Sequence, residues 1–184
     1  YDATTGSYNI FQGFQVGYNA TTVGNSIGIG RSAFGLGILT GGNNIALGYQ
    51  AGYDLTSGAN NIFQGYQAGA NATTGGQNIA LGYQAISSGV LTGTENIAIG
   101  RAAGQDLTSG IRNVFMGYNA GLNATTADYS IGIGQSALGL GVLTGTSNVA
   151  IGQYAGYDLT SGTYNYFGGY NAGANVTTAD NTVA

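Results

Sequence analysis

Aromatic residues occur repeatedly in this sequence directly after a glycine. Glutamine often follows the aromatic residue, as in Tyr66-Gln67. An exposed ring beside an amide donor can stack on a sugar or pack against a protein, and repetition makes weak contacts multivalent. The alternative is that the rings fill an interface between subunits or cover the neighbouring repeat. The candidate receptor-contact residues are Tyr49, Tyr66, Tyr83, Tyr118 and Tyr170, with Phe14 at the matching place.

A second recurring group has the pattern Asn-Ala/Val-Thr-Thr. Its asparagines are Asn19, Asn71, Asn123 and Asn175, spaced 52 residues apart. Asn-x-Thr accepts N-linked glycans where the compartment permits it. The alternative is a structural turn, in which Asn is common. Because the group recurs with the repeat, the four matches count as one observation.

An aspartate recurs at the same 52-residue spacing, at positions Asp2, Asp54, Asp106 and Asp158. If the repeats stack as strands, these carboxylates lie about 14 Å apart. Ca²⁺ requires oxygen ligands at about 2.3–2.6 Å, so the carboxylates of one chain cannot share an ion. We interpret them as turn residues and expect no metal site.

The composition argues against catalysis and against nucleic-acid binding. The chain has no His or Cys, and no Ser stands in a recognisable pattern with a base. We therefore expect no enzyme activity and no cofactor. The basic residues are Arg31, Arg101 and Arg112, and the net charge is −4, whereas phosphate binding requires clustered Lys and Arg. No apolar run approaches the roughly 20 residues that span a bilayer, so we expect no membrane insertion by this segment.

The element that positions all of these residues is a short repeat. Ten glycines, from Gly13 to Gly169, follow one another at intervals of 17 or 18 residues, and three intervals sum to 52. Such regular self-similarity is typical of an array of one small supersecondary unit. Glycine at this density disfavours helices.

Each repeat reads as one flattened coil of a solenoid. An Asn is followed by a β-branched residue, and the side chain two positions later is often apolar, as in Asn44-Ile45-Ala46-Leu47. This alternation predicts a short strand with the β-branched column buried. A Thr segment, as in Leu55-Thr56-Ser57, predicts a second short strand. With coils stacked about 4.8 Å apart, we expect the Asn side chains to chain their amides along the axis.

A phenylalanine occupies one strand position in every third coil, where the other coils carry Ala or Gly. Alternation places this position opposite the β-branched column and therefore predicts that it points away from the chain's own core. A regular apolar stripe needs another surface, so we interpret these residues as a subunit contact. They are Phe11, Phe63, Phe115 and Phe167.

The strand motifs Asn44-Ile45-Ala46-Leu47-Gly48 and Asn96-Ile97-Ala98-Ile99-Gly100 resemble the repeats of YadA-like trimeric adhesin heads. Related repeat arrays occur in phage tail fibres. The resemblance covers essentially the whole chain. It implies a left-handed parallel β-roll, three chains wound into one head, and a role in attachment.

The sequence therefore predicts an all-β fold, a parallel β-solenoid of 17/17/18-residue coils in a 52-residue super-repeat. We expect residues 1–184 to form a single uncapped array, a segment of a longer homotrimeric fibre. The expected role is structural and adhesive, at a cell or virion surface, with a host-surface glycan or protein as partner. The alternative is a monomeric ligand-binding solenoid, such as an ice-binding protein that uses its Thr column. The phenylalanine stripe discriminates between them, because a trimer would bury it and a monomer would leave it in water.

Overall fold

The structure is a computed structural model that describes residues 6–184, so Asp2 and Thr4 lie outside the described residues. In this part of the chain ten three-residue strands form one parallel sheet, in sequence order, and there is no helix. Each coil contributes one strand, and the predicted parallel β-solenoid is confirmed. The strands are β1 (Ile10–Gln12), β2 (Ile27–Ile29), β3 (Ile45–Leu47), β4 (Ile62–Gln64), β5 (Ile79–Leu81), β6 (Ile97–Ile99), β7 (Val114–Met116), β8 (Ile131–Ile133), β9 (Val149–Ile151) and β10 (Tyr166–Gly168).

The strands stack in strict register. Ile45 pairs with Ile62, Ala46 with Phe63 and Leu47 with Gln64 between β3 and β4. Equivalent positions of successive coils therefore form continuous columns along the rod, about 4.8 Å apart.

The glycine that ends each strand is required by the backbone. Gly117 has a φ of 136°, and a Cβ added there would lie 2.6 Å from the carbonyl oxygen of Gly134 in the next coil. Only glycine combines this conformation with such a close approach. The 17- or 18-residue glycine period thus marks where each coil turns against its neighbour.

The predicted Asn ladder is confirmed. The Nδ2 of Asn61 donates to the Oδ1 of Asn44 at 3.1 Å, and the backbone N–H of Asn61 donates to the same oxygen at 2.9 Å. Asn61 also donates to the carbonyl of Gly75 at 2.9 Å. These asparagines are buried, so the ladder satisfies polar groups that would otherwise be desolvated without a partner.

The second predicted strand does not form as a regular element. In the Thr segment, the N–H groups of Thr56 and Gly58 both donate to the carbonyl of Thr73, at 3.0 and 3.3 Å. Two donors share one acceptor, so the even ladder of a parallel strand is interrupted. Within residues 6–184, one isolated bridge, Ala72 to Leu91, is all the parallel pairing found in these segments.

The predicted direction of the strand side chains is wrong. The β-branched column points outward, so Ile45 and Ile62 are half-buried, while the middle residue of the strand points into the coil. The interior is narrow, and Ala, Gly or Phe fill it at this position. Leu55, Leu107 and their equivalents fill the opposite side of the core.

The four phenylalanines are core residues, which corrects their interpretation as a subunit contact. Phe63, Phe115 and Phe167 are 0% exposed, and Phe11 is partly buried against the same core. The room for each ring comes from a glycine six residues later. A Cβ added at Gly69 would lie 2.5–2.7 Å from the ring of Phe63.

Candidate functional site

The outer face of the sheet is apolar. We define the outer sheet face as the first and third residues of β1–β10. Its first column holds Ile, Val or Tyr in every strand, and its third holds mostly Ile, Leu or Met. Ile29 is 39% exposed and Ile151 is 43% exposed. The single chain therefore leaves a regular apolar surface in water. The sequence predicted such a surface at the phenylalanines, whereas it lies on the outer sheet face.

A second surface follows the sheet, at the residue after each strand glycine. Tyr49, Tyr66 and Tyr83 stack along the rod, with ring centroids 5.1 and 5.0 Å apart and planes 12° and 7° apart. These distances match the rise from coil to coil. The planes of the three tyrosine rings are therefore roughly perpendicular to the rod axis. Tyr49 covers one face of Tyr66, and Tyr83 covers the other.

Two arginines extend this stack at both ends. The guanidinium of Arg31 lies 5.8 Å from the ring centroid of Tyr49 and 5.9 Å from that of Phe14. The guanidinium of Arg101 lies 5.6 Å from the centroid of Tyr83 and 5.5 Å from that of Tyr118. All four distances fall within the range of cation–π attraction. We define the aromatic–arginine column as these seven stacked residues: Phe14, Arg31, Tyr49, Tyr66, Tyr83, Arg101 and Tyr118.

Tyr170 is not part of this continuous stack. Gln135 and Gln153 occupy the two intervening places, and Tyr170 packs edge-on against Tyr154 with centroids 6.5 Å apart. Together with Tyr157 it lines an open hollow. Of the five candidate tyrosines, four therefore share one surface and the fifth lies on the separate hollow.

The glutamines beside the tyrosines form an amide ladder. The Nε2 of Gln67 donates to the Oε1 of Gln50, and the Nε2 of Gln84 donates to the Oε1 of Gln67, both at 2.9 Å. The three residues have φ values of 52–54°, which cost about 1–2 kcal/mol each for a residue with a Cβ. Stacking and hydrogen bonding to the neighbouring coils stabilise this conformation.

The sequence did not single out the arginines as members of this surface. The signal was present, because Arg31 and Arg101 stand directly after a strand glycine, at the place where other coils carry tyrosine. The third arginine lies on a different corner. Arg112 pairs with Glu95 at 2.8 Å and donates to the hydroxyl of Tyr129 at 2.7 Å. The hydrogen bond that Arg112 donates to the carboxylate of Glu95 lowers the pKa of Glu95.

The asparagines of the Asn-x-Thr groups make structural contacts. The Nδ2 atoms of Asn19 and Asn123 each donate to the carbonyl of a Leu in the next coil, at 2.8 Å. Asn71 donates to the carbonyl of Ser88 at 3.1 Å, and Asn175 is exposed in the last coil. Glycan attachment at these positions stays a prediction, and the turn interpretation has the support of these bonds.

The threonine column is also tied into the fold by hydrogen bonds, and Asp54, Asp106 and Asp158 are half-buried. The hydroxyls of Thr56, Thr108 and Thr160 donate to the carbonyl of the equivalent Thr in the next coil, at 2.9–3.0 Å, as a ladder would. Burial raises the pKa of Asp54 and of Asp106. In the described part of the chain, no group of three or more His, Cys, Asp or Glu could hold a metal ion. Residues 6–184 also contain no helix of the length and apolarity that crossing a bilayer requires.

Two surfaces thus stand out on the rod, the outer sheet face and the aromatic–arginine column. The first offers apolar contact area and the second offers ring edges, hydroxyls and guanidinium groups. No protein-family model matches the chain, and no curated protein or solved structure matches it.

Proposed function

We propose that this chain is a structural and adhesive segment of an extracellular or virion fibre, in which three identical chains pack their outer sheet faces together. The observation that carries the proposal is the outer sheet face, whose first column is Ile, Val or Tyr in all ten stacked strands, about 43 Å at the inter-strand spacing. Monomeric soluble proteins rarely leave so continuous an apolar surface in water. The number three, the left-handed coil and the attachment role come from the resemblance of the strand motifs to YadA-like adhesin heads.

The interior of the coil supports a passive role. The described core contains Ala, Leu, Phe, Ile and Val packed against the Asn ladder, and the chain has neither His nor Cys. We propose that the protein is not an enzyme. Rigid repetition would instead display the same surface groups many times along a fibre, which raises avidity without strong single contacts.

The test of the assembly is the solution mass by light scattering at several concentrations. We expect a three-chain mass for the unchanged chain. Replacing Ile97 and Ile99 by Lys places two charges on the outer sheet face in mid-rod, and we expect this variant to be monomeric because buried unpaired charge opposes association.

The matched control places two lysines on another side of the rod, at the exposed Ser57 and Ser109. We expect this control to keep the three-chain mass, and circular dichroism of both variants to match that of the parent. A parent that is monomeric at every concentration would contradict the trimer. It would favour the monomeric ligand-binding alternative, for which an ice-recrystallisation assay of the Thr column is then the test.

A further inference from the structure

The aromatic–arginine column cannot bind sugars by ring stacking along most of its length. The faces of Tyr66 are covered by Tyr49 and Tyr83, and the outer faces of those two rings lie against Arg31 and Arg101. What the column presents to solvent is edges. The edge of an aromatic ring carries the positive end of its quadrupole, and the N–H groups of a guanidinium lie in its own plane.

Both arginines of the column are free to bind an anion. Their side chains are exposed, and within residues 6–184 the one ion pair is that of Arg112 with Glu95. The chain has a net charge of −4, yet its two unpaired guanidinium groups lie in the same column. A planar guanidinium presents a fork of donors that matches a carboxylate.

Hydroxyl and amide donors lie between the arginines. Tyr49, Tyr66 and Tyr83 each contribute a phenolic hydroxyl, and Tyr66 is 43% exposed. An amide nitrogen carries two protons, and the ladder from Gln84 to Gln50 uses one proton of each donating amide. Every coil from Arg31 to Arg101 therefore offers a donor, with a cation at each end of the tyrosine run.

We propose that the aromatic–arginine column binds an acidic polysaccharide edge-on, with sugar carboxylates on Arg31 and Arg101 and sugar hydroxyls on the tyrosines between them. The two arginines are four coils apart, about 19 Å, so the ligand is extended along the rod. A hydroxyl-rich chain matches the phenols of the column and the glutamine amides beside it, which a polypeptide of acidic residues does not. The inference rests on the proposed adhesive function and narrows its receptor to a carboxylate-bearing glycan.

The experiment measures binding of polygalacturonate to the full chain in its assembled state by titration calorimetry, at low and physiological salt. We expect binding that weakens with salt, because exposed charges are screened. The double variant Arg31→Gln with Arg101→Gln is expected to bind about tenfold more weakly, at the upper range for exposed charge pairs. Arg31→Lys with Arg101→Lys keeps the charge but removes the fork, and we expect an intermediate loss.

Arg112→Gln is the control on another corner, since it removes one guanidinium charge, as Arg31→Gln or Arg101→Gln does alone, and is expected to leave binding unchanged. An equal loss in this control, or equal binding of neutral dextran, would overturn the inference. Binding of poly-glutamate as tight as that of polygalacturonate would overturn the glycan and assign an acidic peptide instead. A three-chain mass without polygalacturonate binding would overturn this inference and leave the three-chain assembly standing. A monomer that binds polygalacturonate would contradict the three-chain assembly and leave this inference standing.

Discussion

At the scale of single residues, the buried asparagine that precedes most strands supplies hydrogen bonds that longer strands would otherwise provide. The strands are three residues long, so backbone pairing alone leaves the corner before each strand unsatisfied. Asn78 makes four hydrogen bonds there. It donates to Asn61 and to Gly93, and its Oδ1 accepts both the backbone and the side-chain N–H of Asn96, all at 2.9–3.0 Å.

Replacing Asn78 by Ala would leave the N–H of Asn96 and the carbonyl of Gly93 buried without partners. We expect the free energy of unfolding to fall by about 3 kcal/mol, since each orphaned group costs about 1–3 kcal/mol. Asn78→Ser should cost less, because Ser130 in the same column accepts the N–H of Asn148. Urea denaturation measures both. The control is Gln77→Ala at the exposed neighbour; a loss as large as that of Asn78→Ala would refute the special role of the ladder.

At the scale of the coil, two of the three coil types carry one large core residue, at alternative positions, and the third type carries small residues at both, as at Ala150 and Gly156. In one coil type Phe115 occupies the strand and glycine stands six residues later, at Gly121. In the next coil Gly132 occupies the strand and the large residue stands six later, at Leu138, which is buried. Gly121 and Leu138 have φ values of 58° and 53°, so the backbone is the same in both types. The large core residue thus stands at either of two positions, and the backbone conformation is the same in both cases.

This equivalence predicts a rescue. Phe115→Ala should destabilise the chain by about 3–5 kcal/mol through the cavity it leaves, and Gly121→Leu alone should destabilise it by overpacking against Phe115. Combining the two places Ala in the strand and a large residue six positions later, the arrangement of Ala80 and Ile86, and we expect the double variant to regain part of the loss. A double-mutant cycle of urea midpoints measures this coupling. Strictly additive losses would show that the two arrangements are not interchangeable.

The strand position and the position six residues later show which parts of the fold the sequence predicts and which parts it does not. The period predicts the parallel solenoid and the Asn ladder, because stacking brings like onto like. It does not predict which side of a strand faces inward, since Ile45 and Ala46 both suit a half-buried strand. The glycine six residues after each Phe was the missing signal, because it provides the room for an inward ring. The sequence places the tyrosines at one position of the coil. It does not predict that their rings stack, because stacking depends on the register between coils.

At the scale of the whole molecule, stability is a sum over coils and the contacts between neighbours. The three coil types follow in a fixed order, so that a large core residue, Phe, Ile or Leu, packs over a small residue at the same place in the next coil. Gly52, for example, lies between Phe34 and Phe63, and a Cβ added there would be 3.0–3.1 Å from both rings. The unit that can be removed without changing any such contact is therefore the 52-residue super-repeat and not the single coil.

Two deletions test this, and both join Asn61 to the first residue of a strand. Removing residues 62–113 joins Asn61 to Val114, which stands at the same place in the super-repeat as Ile62. Every remaining coil keeps a neighbour of its original type, so we expect an unchanged circular dichroism spectrum. The m-value of urea denaturation should fall in proportion to the surface lost. Removing residues 62–78 joins Asn61 to Ile79 and takes out the Phe63 layer, so that small residues face the next coil. We expect this shorter deletion to lower the urea midpoint more than the longer one does, since it alone leaves unfilled space in the core. If the 52-residue deletion proved the more damaging, the order of coil types would not be what the core depends on, and length alone would govern stability.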